Sequence, residues 1–332
     1  MLYPLKFKPQ YQYRIWGGSK LRELLGKPDV PDKTGESWEI SAVQGSVSVV
    51  ANGYLENNDL EELIEIYMGD LVGDSVYERF GQEFPLLVKF IDANDVLSIQ
   101  VHPDDKLARE RHNAYGKTEM WYVLQADPGA VIFNGFNQKL TRESYLEHLH
   151  NHTVKSIMNE VPAHSGDLFY IPAGRVHATG AGILFAEIQQ TSDITYRIYD
   201  WDRIDKNGKP RLLHTDLALD AICFDPVKEV KRLYQADTDQ SNLMLRCPFF
   251  TTYLLVFTQP LLKDYFRIDS FIILICLEGS FSIETGEQIE VTVTRGETVL
   301  IPAAIKQVLL IPSAPSRVME VYIEDMEAGD GH

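Results

Sequence analysis

A polar row of side chains interrupts the apolar stretch "VLSIQVHPDD" in the first third of the sequence. Read as a strand, this stretch places Ser98, Gln100 and His102 on one face and apolar residues on the other, because side chains alternate along a strand. The apolar face belongs in a core, so the polar face must either contact solvent or bind another group. An imidazole and an amide oxygen on one strand face are both groups that bind metal ions.

Two further stretches complete a possible set of metal ligands. "GKTEMWYVLQ" reads as a strand with Lys117 and Glu119 on one face, and "GDLFYIPAGRVHA" reads as a strand and an Ile-Pro turn that leads to His177. The four candidate ligands are Gln100, His102, Glu119 and His177. This set suits a borderline divalent ion, with zinc as the default and manganese, iron or cobalt as alternatives.

The stretch that contains His177 recurs later in the chain in an altered form. Residues 166–178 ("GDLFYIPAGRVHA") and 296–308 ("GETVLIPAAIKQV") share a glycine, an acid, an apolar strand and Ile-Pro-Ala in register. The second copy has Ala304 and Gln307 where the first has Gly174 and His177. We therefore expect two β units of common design, of which the second is structural and binds no metal.

The elements around these stretches are mostly short strands. Runs rich in Val, Ile, Phe and Tyr are separated at close intervals by Gly, Pro, Asn and Asp, which is typical of an antiparallel sandwich or barrel. Four stretches have helical spacing and capping residues, and are predicted helices: 58–70, 104–116, 140–151 and 214–224. The polar stretch 227–248 is expected to cross between domains.

This pattern predicts two domains. Residues 1–236 form a larger β domain with helical insertions, which carries the candidate ligands. Residues 237–332 form a smaller β domain without a metal site, and its tail from residue 325 onward is expected to be disordered.

The charge of the chain restricts its partners. The 332 residues include 48 Asp and Glu against 31 Lys and Arg, a net charge of −17. Such a surface repels nucleic acid and anionic membranes, so we expect neither as a partner. An anionic substrate would need a local basic pocket, which makes any Lys or Arg at the site informative.

The cysteines and the amino end favour a cytoplasmic protein. The three cysteines, Cys223, Cys247 and Cys276, are widely spaced in apolar contexts, and we interpret them as buried free thiols in a reducing compartment. The first residues lack the apolar core of a secretory signal, and the longest apolar run is too short to span a bilayer.

Several motifs together resemble one family. Gly166, Pro172, Gly174 and His177 match the spacing of the second cupin motif. The stretches "YRIWGG", "GESWEIS", "PLLVKFIDANDVLSIQVHPDD", "GKTEMWYVL", "PAGRVHATG" and "EIQQTSDITYRIYDWDR" follow one another as in type I phosphomannose isomerases. The chain resembles the short bacterial form of this family, strongly over roughly residues 10–220 and weakly elsewhere.

The resemblance implies a fold and an activity. The fold is mainly β, with two cupin-like β-barrel or jelly-roll domains, a few helical insertions and a degenerate second barrel. The activity is interconversion of mannose 6-phosphate and fructose 6-phosphate with one zinc ion, held by the residues that match Gln100, His102, Glu119 and His177. We expect a monomer or a weak homodimer.

The resemblance also implies active-site roles outside the metal set. Lys117 and Arg197 match active-site positions, and the substrate cleft is lined at the positions of Trp16, Glu36, Lys89, Ser98 and Glu187. We count Glu187 with Lys117 and Arg197 as a candidate catalytic residue. The isomerisation moves a proton between C2 and C1 through an enediol or enediolate, and its base is left open among a metal-bound hydroxide, Glu187 and Lys117. Arg197 would steady the enediolate or the phosphate, while Lys89 and Ser98 are candidate phosphate contacts.

Three other functions are compatible with these residues. A cupin metal oxygenase usually has more imidazole ligands and needs no Lys and Arg pair. An isomerase of the same fold could act on another sugar or sugar phosphate. A catalytically silent sugar-phosphate-binding cupin would keep the site without turnover.

Overall fold

Antiparallel strands dominate the computed structural model, which describes residues 2–204, 208–286 and 290–324. The strands are β1 (Leu5–Lys6), β2 (Gln10–Gly18), β3 (Thr34–Ile40), β4 (Ala42–Val43), β5 (Ser46–Val47), β6 (Leu86–Ala93), β7 (Ile99–Val101), β8 (Glu119–Ala126), β9 (Val131–Phe136), β10 (Met158–Pro162), β11 (Leu168–Ile171), β12 (His177–Thr179), β13 (Ile183–Gln190), β14 (Tyr196–Tyr199), β15 (Gln240–Arg246), β16 (Thr251–Phe257), β17 (Leu261–Asp264), β18 (Ile272–Thr285), β19 (Glu290–Thr294), β20 (Thr298–Ile301) and β21 (Gln307–Tyr322). The helices are α1 (Lys20–Glu23), α2 (Leu60–Tyr67), α3 (Gly69–Val72), α4 (Asp74–Phe80), α5 (Asp105–His112), α6 (Arg142–His150) and α7 (Thr215–Ala221), with a 3-10 turn at Val154–Ile157. None of these helices is long and apolar enough to cross a membrane.

Two sheets of the amino-terminal part face each other as a jelly-roll sandwich. One has five strands in the order β10-β9-β12-β7-β14, and the other has six in the order β11-β8-β13-β6-β3-β2. Their inner faces share one apolar core, in which Ile132 of the five-stranded sheet packs with Trp121 and Phe185 of the six-stranded sheet. Strand pairing closes neither sheet into a barrel within the described residues.

Both outer faces of the sandwich are covered, which keeps its strands in place. Helices α6 and α7 cover the five-stranded sheet through a core that includes Tyr145 and Leu219. The six-stranded sheet packs on the carboxy-terminal sheet, with Phe90 and Met120 in one core with Met319. Because β6 is buried on both faces, its residues form the near-continuous apolar run "LLVKFIDA", interrupted on the inner face by Lys89.

The carboxy-terminal part is built around two long strands. β18 and β21 pair with each other, and the whole sheet has the order β1-β20-β18-β21-β16-β15, with β17 and β19 attached to β21 and β18. A second apolar core, which includes Phe257, Phe281 and Leu310, lies within this part. The predicted mainly β fold is confirmed. The division at residue 236 stays a prediction, and β1 near the amino end lies in the carboxy-terminal sheet.

The sequence repeat is also a structural repeat. β11 and β20 begin and end at positions 130 residues apart, and β12 and β21 begin with the same offset, at His177 and Gln307. The side chain of His177 is fully buried, whereas Gln307 is exposed. The strand and the turn thus occur in both copies of the repeat, whereas the buried imidazole occurs only in the first.

The predicted helices are confirmed with shifted ends. Helix α2 begins at the capping box of Asp59 and Glu62, and α5 begins at Asp104 but ends at Asn113, three residues before the predicted Gly116. The remaining two predicted helices correspond to α6 and α7, while α1, α3 and α4 were not predicted. Helices α1 and α3, of four residues each, have too few turns for a helical period to stand out.

Two predictions need comment beyond the helices. The interpretation of all three cysteines as buried is wrong for Cys223, which is exposed because it follows the end of α7, where the chain turns along the surface. Cys247 and Cys276 are buried, and all three are free thiols. The predicted disordered tail, 325–332, lies outside the described residues.

Candidate active site

One row of inward-facing side chains crosses the five-stranded sheet. Strand pairing sets Asn134 opposite His177, His177 opposite Gln100, and Gln100 opposite Arg197. Directly opposed residues of antiparallel strands point to the same face, so this register brings distant parts of the sequence together. His102 follows the end of β7 and lies beside the same row, with its ring centroid 4.9 Å from that of His177.

A second row crosses the six-stranded sheet. Trp38 lies opposite Lys89, Lys89 opposite Glu187, and Glu187 opposite Trp121. The two rows meet inside the sandwich, where the Trp121 ring packs edge-on against His177 at a centroid distance of 5.3 Å.

Three buried side chains at this meeting point form a candidate metal site. The ligand atoms of His102, Glu119 and His177 lie within 4.8 Å of one another, and within the described parts of the chain these residues form the only such group of His, Cys, Asp and Glu. His177 Nε2 is 3.2 Å from Glu119 Oε1, and His102 Nε2 is 3.6 Å from Glu119 Oε2. All three are at most 1% exposed.

The hydrogen bonds around the cluster leave its ligand atoms available. His102 Nδ1 donates to the Ile194 carbonyl and His177 Nδ1 to the Arg175 carbonyl, each at 2.9 Å, so each Nε2 keeps its lone pair. Among the described residues, no group makes a hydrogen bond of good geometry to either buried carboxylate oxygen of Glu119. Because buried carboxylates are normally satisfied, this orphaned pair of oxygens fits a divalent cation.

The charge states of the cluster also suit a cation. Burial lowers the pKa of His102 well below its usual value, and the nearby Lys117 acts in the same direction, so the ring is neutral. Burial acts to raise the pKa of Glu119, but its contacts, above all the positive charge of Lys117, outweigh burial and hold that pKa well below its usual value. A neutral imidazole and an ionised carboxylate are the forms that bind metals.

Gln100 reaches the cluster from the neighbouring strand. Its Nε2 is 3.2 Å from His177 Nε2, and rotation of the amide by 180° would present the oxygen at the same place. The four residues predicted as metal ligands are therefore brought together.

Lys117 lies next to the cluster. Its Nζ is 3.2 Å from Glu119 Oε2 and donates to His102 Nε2 at 3.3 Å. Burial acts to lower its pKa, but Glu119 and Glu187 outweigh burial and raise it, so the chain's own charges keep the amine protonated.

A buried network of two carboxylates surrounds Lys89. Its Nζ donates to Gln189 Oε1 at 2.7 Å, lies 3.1 Å from Glu187 Oε2 and 3.9 Å from Glu36 Oε2, and sits over the Trp38 ring. Trp121 Nε1 donates to Glu187 Oε1 at 2.7 Å. Burial raises the pKa of Glu187, and its Oε2 has no hydrogen bond of good geometry.

These groups border one cleft of about 400 Å³. Eight of the residues predicted for the site line this cleft: Trp16, Glu36, Lys89, Ser98, Gln100, Lys117, Glu187 and Arg197. His102, Glu119 and His177 are buried beside it, in contact with Lys117 and Gln100. The structure thus brings together all the residues singled out from the sequence.

Sequence reasoning missed other residues of the cleft. Arg14, Trp121, Asp193, Thr195 and Arg211 line it as well. Strand alternation offered a signal for two of them, because Arg14 lies two residues before Trp16 and Trp121 two residues after Glu119. Arg211 lies outside any strand or helix, where no periodicity exists to reveal it.

Comparison with known proteins gives a consistent result. Residues 4–133 match the family description "Phosphomannose isomerase type I, catalytic domain". The chain is 35% identical to mannose-6-phosphate isomerase of Streptococcus mutans, over 92% of this chain and 94% of the relative. It is 37% identical to mannose-6-phosphate isomerase ManA of Bacillus subtilis, over 75% and 78% of the two chains.

A solved structure agrees over the full length. The crystal structure of mannose 6-phosphate isomerase from Bacillus subtilis superposes with a TM-score of 0.86 at 29% identity, and the match covers 97% of this chain and all of that one. Identity above a third over most of both chains, together with a common fold that carries the metal-binding cluster, settles the family. The chain belongs to the type I phosphomannose isomerases.

Proposed function

We propose that the protein interconverts mannose 6-phosphate and fructose 6-phosphate in a metal-dependent reaction. The observation that carries the proposal is the buried His102–Glu119–His177 cluster, with its orphaned carboxylate oxygens, beside a cleft that carries lysine and arginine side chains. Relatives that align along most of the chain have the names of this enzyme, which supports the same activity here.

We propose that His102, Glu119, His177 and Gln100 hold one zinc ion. Two imidazoles and a carboxylate are a common zinc-binding set, and the amide oxygen of Gln100 would add a fourth ligand. When bound, the cation would stabilise the negative charge that develops on substrate oxygens during proton transfer. Manganese, iron and cobalt accept the same ligands, so the metal itself is part of the proposal.

We propose Glu187 as the group that takes and returns the proton between C2 and C1. Its raised pKa and its place in the lining of the cleft are the properties expected of a carboxylate base. Lys117, held charged beside Glu119, is placed to donate a hydrogen bond to a substrate oxygen. Arg197 adds a second fixed positive charge in the cleft.

The remaining residues of the cleft are proposed to bind and orient the sugar. Trp16, Glu36 and Ser98 line the cleft and can contact the substrate directly. Lys89 is enclosed by Glu187, Glu36 and Gln189, so we propose that it positions Glu187 and does not bind phosphate.

The test is a coupled assay for fructose 6-phosphate with purified protein, before and after treatment with a chelator. We expect turnover of mannose 6-phosphate that is lost on chelation and restored by zinc, and a Glu119→Gln variant that neither binds metal nor turns over. Absence of turnover with every metal tried would leave the catalytically silent binding protein as the function. Faster turnover of unphosphorylated mannose would identify a different sugar isomerase.

The expected monomer or weak homodimer, the cytoplasmic location and the absence of nucleic acid and membrane partners stay predictions. The acidic charge of −17 supports the last of these.

A further inference from the structure

We infer that a cavity behind the turn at residues 172–175 is a second ligand site, which binds a small carboxylate with an apolar body and thereby tightens metal binding. The cavity has a volume of about 490 Å³ and shares no lining residue with the cleft of the candidate active site. This inference goes beyond the proposed function and uses from it only the zinc ion at His102, Glu119 and His177.

Both walls of the cavity are fixed by backbone hydrogen bonds. One wall is the 172–175 turn, between β11 and β12, and the other is segment 223–232, which follows α7. The Cys223 amide donates to the Gly174 carbonyl at 2.8 Å and joins the two walls, while the Val227 amide donates to the last carbonyl of β9 at 2.9 Å. A cavity between fixed walls is formed before the ligand arrives, so little ordering opposes binding.

The lining combines apolar side chains with one half-buried guanidinium group. Arg175 Nη1 donates to the Tyr170 carbonyl at 2.6 Å, and no group in the described part of the chain accepts a hydrogen bond from its Nε or Nη2. That free edge of the guanidinium can bind a carboxylate through two parallel hydrogen bonds. The apolar part of the lining consists of Phe136, Tyr170, Pro172, Val176, Pro226 and Val227.

The charges around the cavity favour an anion. Arg232 Nη1 donates to both carboxylate oxygens of Glu229, at 2.9 and 2.7 Å, and Asp225 is paired with a lysine outside the cavity. Arg175 and the exposed Lys228 have no carboxylate at ion-pair distance within the parts of the chain that the structure describes. One free fork among apolar walls fits a monoanion with an apolar body, such as an aryl carboxylate, better than a doubly charged phosphate group.

The 172–175 turn also contacts the metal-binding cluster. The Gly174 amide donates to the His102 carbonyl, and the Arg175 carbonyl accepts a hydrogen bond from His177 Nδ1, both at 2.9 Å. The residue that would bind the carboxylate therefore also orients the ring of a metal ligand.

The same turn reaches the strand that carries the third ligand. The Ala173 amide donates to Thr118 Oγ1 at 3.2 Å, and Thr118 directly precedes Glu119. A carboxylate on Arg175 would restrain the turn in the conformation that keeps all three ligands together. Because coupling between two sites is reciprocal, zinc should in turn tighten binding of the carboxylate by the same factor.

The test uses 3-phenylpropionate as the probe and its neutral amide, 3-phenylpropionamide, as the matched control compound. The variants are Arg175→Ala, Arg175→Lys and Cys223→Phe, the last of which places a ring in the cavity. The control variant is Arg246→Ala, which removes a guanidinium group from the surface of the carboxy-terminal sheet.

Three quantities are measured. Calorimetry gives the Kd for the probe with zinc-loaded and with metal-free protein, and a zinc titration gives the Kd for zinc with and without saturating probe. The rate at which iodoacetamide alkylates Cys223, read by mass spectrometry, reports occupancy of the cavity, because Cys223 is exposed whereas Cys247 and Cys276 are buried.

We expect 3-phenylpropionate to bind the wild-type protein much more tightly than its amide does, to slow alkylation of Cys223, and to lower the Kd for zinc at least about fivefold. Arg175→Ala should raise the Kd for the probe about tenfold to a hundredfold, which is the effect of losing a hydrogen bond to a charged group. Arg175→Lys should recover part of the loss, because it keeps the charge but not the planar fork. Cys223→Phe should abolish probe binding, and Arg246→Ala should change none of these quantities.

Three results would overturn the inference: a probe Kd that Arg175→Ala and Cys223→Phe leave unchanged, alkylation of Cys223 that the probe does not slow, or a zinc Kd that the probe leaves unchanged or raises. If Arg175→Ala does not fold, Arg175→Lys and Cys223→Phe decide by the same criteria. Failure of the proposed function gives a different result, namely protein that binds probe and zinc in this coupled way but forms no fructose 6-phosphate.

Discussion

At the scale of single residues, the unusual feature is a buried carboxylate without hydrogen bonds. Glu119 is fully buried, and the described structure places two imidazole nitrogens and the Lys117 amine at ion-pair distances from its carboxylate. Leaving such a group unsatisfied is costly unless a ligand completes the site. A site built in this way depends on each of its members, so single substitutions should separate metal binding from folding.

Replacing His177 by Gln copies the residue of the second repeat into the first. We expect metal affinity to fall by more than about 100-fold, because losing a ligand costs more than the 10- to 100-fold loss typical of its supporting residues. Turnover should fall with it. Metal content after dialysis measures the first effect, and a thermal melt checks the fold. His164→Gln, at an exposed site beside Asp167, is the control. Stoichiometric metal in His177→Gln would contradict the prediction.

Glu36 should make the free energy of unfolding depend on pH in the acidic range. Burial acts to raise its pKa, but Lys89 and Arg14 outweigh burial and lower it to about 2. A carboxyl whose folded-state pKa is depressed stabilises the fold at pH above its unfolded value, about 4.5, and that contribution is lost as pH falls through about 2. We expect the unfolding free energies of wild type and Glu36→Gln to converge by about 3 kcal/mol over this window. A constant difference between pH 6 and pH 2 would exclude this role.

Residue types and spacing were enough to find the candidate metal cluster, because Gln100 and Glu119 lie in strands where alternation fixes the face, and His102 and His177 lie at strand ends. The same rule, taken one step beyond Glu119, would have found Trp121. Lys89 shows what strand alternation alone cannot predict. Whether a strand lysine faces substrate or an opposing carboxylate depends on which residue lies across the sheet, and the pairing of β6 with β13 spans about 100 residues of sequence.

At the scale of elements, a turn holds the two metal-binding strands together. Gly174 has φ of +84° and donates its N–H to the His102 carbonyl at 2.9 Å, three residues before His177. A Cβ at this position would lie 2.9 Å from the Ala221 carbonyl oxygen. The second repeat has Ala304 and Gln307 at the matching places, so the glycine and the histidine occur together in the first repeat and neither occurs in the second.

Gly174→Ala should therefore damage the metal site as well as the fold. We expect a loss of about 1–3 kcal/mol in unfolding free energy from backbone strain, and weaker metal binding because the strand that carries His177 must shift. Gly81→Ala is the control, since Gly81 has φ of +62° but open space around its Cβ position. That variant should lose stability without losing metal affinity. Equal metal affinity in both variants would show that the turn does not position His177.

Strands and long helices were predictable from sequence, but their ends and the short helices were not. Helix α5 ends at Asn113 because that residue adopts a left-handed conformation, although Gly116 is the residue type that commonly ends a helix. The repeat predicted a second β unit from seven residues of shared pattern. The pairing of that unit with the amino end was not foreseeable, since no local pattern encodes it.

At the scale of the whole molecule, a buried ion pair joins the two parts of the chain. Lys27 Nζ donates to Glu39 Oε2 and to the Gly296 carbonyl, both at 2.8 Å, and lies over the Phe90 ring. The Ser37 hydroxyl donates a hydrogen bond to the other carboxylate oxygen of Glu39, Oε1. Gly296 opens the second copy of the repeat, so the network ties that copy to the strand that also carries Glu36.

Lys27→Met should reveal how much this contact contributes. Removing one partner of a buried pair leaves the other charge uncompensated. This lowers the unfolding free energy by about 3–5 kcal/mol. Lys6→Met is the matched control, because Lys6 pairs with Glu297 in a partly exposed setting and should cost less than about 1 kcal/mol. Urea unfolding measures both. Similar costs in the two variants would mean that burial of the Lys27 pair has no energetic consequence.

The pairing of β1 with β20 has a consequence for how the protein is made. Leu5 and Lys6 lie against Leu300 and Val299, so a strand pairs with another that is translated about 295 residues later. At ~5–20 residues per second, the early strand waits some tens of seconds for its partner to be translated. Until then β1 cannot take its place at the edge of the sheet, so β20 depends on this distant strand to cover an edge that would otherwise be open to wrong partners.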